Sequence, residues 1–100
     1  MSKYQFTPQA LADLLDLWRF IARDSVADAD RVEEVVFRTC DFLADSPRAG
    51  RRRADLTPLL LRFWVVQPYT NYLIVYDSET KPLQNIRILH AARDVASILG

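Results

Sequence analysis

The chain has 100 residues, with thirteen basic and thirteen acidic side chains that cancel and with half of its residues hydrophobic. That length allows one core, so a single domain spanning residues 1–100 is expected. The composition excludes a helical membrane span, a disulfide framework or cysteine zinc cluster (Cys40 is alone), and a glycine-rich phosphate cradle.

Taken in order, Lys3 to Phe6 alternates and predicts a short first strand with Tyr4 and Phe6 on one face. The start at Met1-Ser2-Lys3-Tyr4 lacks the apolar stretch of a signal peptide, so the expected location is the cytoplasm. Thr7-Pro8 is a helix start, because Thr can cap and Pro suits the first helical position. Leu11, Leu14, Leu15, Trp18, Ile21 and Ala22 then recur at helical spacing, with Asp13, Asp16, Arg19 and Arg23 expected on the opposite, solvated side. Leu17 and Phe20 lie outside that stripe, so this helix carries more apolar surface than one core contact needs. Ser25, followed by Asp28, opens a second helix whose stripe is Val32, Val35, Val36, Thr39, Phe42 and Leu43. Ser46-Pro47 ends it, since the residue before Pro is pushed out of helical geometry. Cys40 falls in this stripe region as a small buried residue.

Arg48 to Pro58 shows no periodicity and reads as a loop. Leu59 to Val66 is a β-prone run stopped by Gln67-Pro68. Tyr69 to Asp77 and Leu83 to His90 form two further runs, separated by the polar break Ser78-Glu79-Thr80-Lys81-Pro82; this is a hairpin pattern. Arg93 to Leu99 predicts a terminal helical turn, with Val95, Ile98 and Leu99 packing back. The expected fold class is α+β, an antiparallel sheet of order β-α-α-β-β-β with a helical hairpin on one face. Tyr72, Ile74 and Tyr76 would line one face of the sheet, Leu73 and Val75 the other. Because one hairpin covers one face, the remaining face or the helix flank is expected to be an apolar docking surface.

The element order, the Leu61-Arg62 strand start, the Tyr72-Leu73-Ile74-Val75-Tyr76 strand and the ending Ile86 to Asp94 together resemble the ParE/RelE toxin superfamily, and within it the ParE branch. Ala91 stands where the family often has Gly. The resemblance implies the toxin of a type II toxin–antitoxin system. ParE-like members inhibit DNA gyrase without catalysis of their own, RelE-like members cut messenger RNA on the ribosome, and both are wrapped by a cognate antitoxin, here a ParD-like or related protein. It implies no cofactor and no metal, and direct nucleic-acid binding is not required of a gyrase inhibitor.

A metal-free ribonuclease needs a base, an acid and cations converging on one groove. The available side chains are Arg62, Arg87, His90 and Arg93. Arg87 and His90 are three positions apart in a strand and should face opposite ways, while Arg62 shares a face with Arg87 only in one register. Neutral net charge and the absence of a Tyr after Tyr76 favour the gyrase inhibitor over the nuclease, with a remnant that only binds its antitoxin as a third reading. Arg62, Arg87, His90 and Arg93 are the expected target-binding residues, joined by Arg51, Arg52 and Arg53. Leu17, Trp18, Phe20, Trp64, Leu73 and Val75 are the expected antitoxin contacts. Each has a structural alternative: cross-sheet ion pairs with Asp77 or Asp94 for Arg62 and Arg87, a hydrogen-bonded structural role for His90, a solvated loop for Arg51 to Arg53, and packing for the aromatics.

Overall fold

The computed structural model describes residues 3–99. Its elements are β1 (Tyr4–Phe6), α1 (Pro8–Ala22), α2 (Val26–Asp45), β2 (Arg51–Arg52), β3 (Arg62–Val65), β4 (Tyr72–Asp77), β5 (Leu83–His90) and α3 (Val95–Leu99). Spatial order in the sheet is β1-β5-β4-β3-β2. The last three strands pair antiparallel, as their short connections require. β1 does not follow that pattern: it runs parallel to β5, so the sheet is mixed rather than antiparallel. The reason lies in Thr7. Its N–H donates to the Asn85 carbonyl at 3.0 Å and its hydroxyl to the Ile86 carbonyl at 2.8 Å. The same hydroxyl accepts from Ala10 N–H at 3.0 Å as the cap of α1. One residue thus closes the β1–β5 pairing and starts the helix that leaves it.

Ser25 caps α2 by accepting from Asp28 N–H at 3.1 Å, and the helix stops before Pro47. The expected loop after α2 contains a strand, β2, whose Arg51 and Arg52 sit opposite Phe63 and Arg62. β3 begins at Arg62 rather than Leu59; Leu59 and Leu60 are exposed. Residues 78–82 form the hairpin turn between β4 and β5, where the Asp77 carboxylate accepts from Glu79 N–H at 2.9 Å.

The main core lies between the helical hairpin and the sheet, built on Leu14, Val36, Cys40, Leu43, Val66, Ile74, Tyr76 and Ile88. Burial holds the Cys40 thiol far above its usual range, at about 12, against the opposing influence of a hydrogen bond with Asn85. α1 is rotated from the expected stripe. Ala10 and Leu14 are buried and Leu17 packs against the core, whereas Leu11 and Leu15 are exposed.

The second sheet face is also covered, so of the two surfaces expected to stay open this one is closed. Leu61, Phe63, Val75, Leu89 and Val95 form a separate buried cluster, flanked by Leu56, Leu73, Ile86, Ile98 and Leu99. α3 and the Leu56–Leu61 segment supply that cover. No helix among the described residues is long and apolar enough to cross a membrane.

Candidate functional site

Arg87 sits opposite Val75 on β4, and its guanidinium grips Asp13 of α1 through Nε at 2.7 Å and Nη2 at 3.0 Å. Asp13 also accepts the backbone N–H of Ile88 at 3.0 Å. Asp13 therefore faces the sheet, not solvent as its neighbours suggested. Its position three residues after Ala10 and four before Leu17 puts a carboxylate in the buried stripe, which was the available signal. This is the least exposed ion pair among the described residues, and it has fork geometry. Its Asp13 partner raises the Arg87 pKa above the usual arginine value, first through the hydrogen bond.

Arg62 is equally occupied, by neutral partners. Nη1 donates to the Gly50 carbonyl at 2.8 Å and Nε to the Ser78 hydroxyl at 3.2 Å. Neither arginine pairs with Asp77 or Asp94. The register puts Arg62 opposite Tyr76 and Arg87 opposite Val75, adjacent residues of β4, so the two point to different faces.

His90 lies opposite Tyr72, its ring edge-on to the phenol at 5.6 Å. Its Nδ1 accepts from Ala92 N–H at 3.1 Å, and the residue is exposed. A cavity of about 350 Å³ opens here between α1 and the end of the sheet. Asp13, Asp16, Leu17 and Phe20 line its helical wall; Tyr72, Ile88, His90 and Arg93 line the other. Residues expected to bind a target (His90, Arg93) and to bind an antitoxin (Leu17, Phe20) thus share one cavity. Asp16 and Tyr72 belong to it as well, although one was read as a solvated helix residue and the other as packing.

The other residues expected as antitoxin contacts divide by burial. Val75 is fully buried and presents no surface; Leu73 packs beside it in the second cluster. Trp18 donates from Nε1 to Asp30 at 2.9 Å and ties the two helices. Trp64 packs on Phe42, with ring centroids 5.2 Å apart. Phe20 alone of the six is well exposed, at 64%. Arg51, Arg52 and Arg53 lie outside the cavity, on the far edge of the sheet. No group of His, Cys, Asp and Glu among the described residues is arranged to hold a metal.

A five-stranded mixed sheet with a helical hairpin packed on it, and a cleft at the hairpin–sheet junction, defines a small α+β domain. The family model described as "ParE toxin of type II toxin-antitoxin system, parDE" matches residues 4–95, and the chain belongs to that family. A solved structure described as "Chromosomal ParDE TA system from P. aeruginosa" shares the fold, with a TM-score of 0.71 at 17% identity over 87% of this chain and 92% of that one. Comparison with curated proteins gives no match.

Proposed function

We propose that this chain acts by binding rather than by catalysis, with DNA gyrase as its target and a ParD-like antitoxin as its neutralising partner. The observation that carries this reading is the dispersal of the cations. Arg62 is committed to backbone carbonyls and Arg87 to Asp13, on different faces. Of Arg62, Arg87, His90 and Arg93, the last two line the cavity beside α1. Attack of an RNA 2′-hydroxyl on the adjacent phosphate, with loss of the 5′-oxygen, needs several such groups around one phosphate. The antitoxin is assigned to the Leu17–Phe20 flank of the cavity, where an exposed ring borders a partly buried apolar wall. Covering that flank also covers His90 and Arg93, which explains neutralisation by occlusion.

The nuclease remains the second reading because His90, Arg93, Asp16 and Tyr72 do share one cavity. Induced expression separates the two. A DNA-damage response with intact messenger RNA, together with inhibition of purified gyrase supercoiling, is expected. Codon-dependent RNA cleavage without damage would reverse the ranking and make His90 and Arg93 the residues to substitute first. Absence of any growth effect, with antitoxin binding retained, would leave a binding remnant.

A further inference from the structure

β5 does not run straight into α3. Residues 91–94 turn the chain between them, and the first three N–H groups of that turn each have an acceptor. Ala91 donates to the Asn71 carbonyl at 2.6 Å, Ala92 to His90 Nδ1 at 3.1 Å, and Arg93 to the His90 carbonyl at 3.0 Å. Two of the three bonds therefore end on His90, one on its main chain and one on its side chain. Asp94 takes over from there. Its carboxylate accepts from Ser97 N–H at 3.3 Å and from the Ser97 hydroxyl at 2.7 Å at the start of α3.

The side-chain bond has the connectivity of an Asx turn. Nδ1 of His stands two bonds from Cβ, where Asn and Asp carry a side-chain oxygen, and that oxygen accepts from the N–H two residues on. An imidazole that accepts at Nδ1 is neutral and carries its proton on Nε2. The Tyr72 ring meets it edge-on, at 84° with centroids 5.6 Å apart, and steadies its plane. The consequence falls on Arg93, which closes the turn and lines the cavity opposite Asp13 and Asp16 of α1. Among the described residues no carboxylate lies within ion-pair distance of its guanidinium. No ion pair holds Arg93 in place, so the backbone turn does.

We propose that His90 is a positioning residue: its imidazole closes the turn that sets Arg93 in the cavity, and Arg93 rather than His90 meets the target. This rests on the reading of the cavity as the target site. Without Nδ1 the Ala92 N–H turns to water, and one of the two bonds that tie residues 90–93 is gone. The order of the turn also passes to α3, whose Val95, Ile98 and Leu99 cover the second sheet face.

The test is inhibition of gyrase supercoiling by the whole chain, with amide hydrogen exchange of Ala92 followed by NMR on the same variants. Arg93→Ala and His90→Ala are both expected to weaken inhibition, His90→Ala by about three- to tenfold, equivalent to one hydrogen bond. His90→Asn is expected to recover most of that loss, because its oxygen stands where Nδ1 stood. His90→Gln, one methylene longer, is expected to stay as weak as His90→Ala. The double variant His90→Ala/Arg93→Ala is expected to match Arg93→Ala alone, since the histidine acts through the arginine. Ala92 exchange is expected to be slow in the parent and in His90→Asn and faster in His90→Ala and His90→Gln. A His90→Asn variant as weak as His90→Ala, a further loss in the double variant, or Ala92 exchange indifferent to residue 90 would each overturn the proposal. Full inhibition by Arg93→Ala, or none by the parent chain, would instead overturn the reading of the target, and Ala92 exchange then decides the turn by itself.

Discussion

Asp13 shows how one side chain can organise both helix and sheet. It takes three donors, two from Arg87 and one from the Ile88 backbone, with only 13% of its side chain exposed. The Ile88 N–H needs it, because β1 ends at Phe6 and no longer covers β5 at that point. Removing either partner strands a polar group at the hairpin–sheet junction. Arg87→Ala and Asp13→Ala are each expected to cost about 2–4 kcal/mol in denaturant unfolding. The double variant is expected to cost clearly less than their sum, because the two groups interact. A loss of toxicity in Arg87→Ala should follow the loss of folded protein; full toxicity loss at unchanged stability would return Arg87 to a direct role. Cys40 gives a second prediction at this scale. A buried thiol with its pKa near 12 is expected to resist an aromatic disulfide reagent at pH 8 and to react within the mixing time once denatured. Labelling of the native chain at the denatured rate would contradict its placement in the core.

Among the elements, the turn between α2 and β2 depends most on a single group. Burial raises the Tyr76 pKa, while the Gly50 N–H bond and the nearby Arg62 charge oppose the shift in smaller measure. The sign follows from the raised value: the folded state prefers the protonated phenol. Its contribution is complete below the unfolded value of ~10 and is lost as pH rises through the higher folded value. Stability should therefore fall on the alkaline side. Tyr76→Phe keeps the ring but removes the hydroxyl's hydrogen bonds to the Pro47 carbonyl and from the Gly50 N–H. It is expected to cost about 1–3 kcal/mol at neutral pH and to flatten the part of the alkaline slope that Tyr76 supplies. Equal slopes in the two proteins, measured by urea midpoints from pH 8 to ~11, would mean that the phenol is not what titrates.

On the scale of the whole molecule, local chemistry was legible in the sequence and distant pairing was not. Thr7-Pro8, Ser25 and Ser46-Pro47 act within a few residues of themselves, so the helix limits could be read directly. The alternation of Tyr72 to Tyr76 sorted the two sheet faces correctly for the same reason. β1 beside β5, by contrast, joins residues about 80 positions apart, and nothing near Tyr4 encodes the direction of that pairing. β2 is two arginines long, too short for any periodicity. The cover over Val75 and Phe63 depends on how α3 returns to the sheet, which no local pattern reveals. At the cavity the residue types were legible, but not their convergence. Closing the second face has a functional consequence, because it moves the open apolar surface to the helix flank, where Phe20 is 64% exposed. Phe20→Glu should therefore leave folding within about 0.5 kcal/mol while abolishing protection by a co-expressed antitoxin. Val65→Glu, an exposed apolar position on β3 outside the cavity, should preserve protection. Growth rescue of cells expressing each variant with the antitoxin reads the difference directly. Rescue of Phe20→Glu at the parental level would remove the antitoxin from this flank and leave the cavity to the target alone.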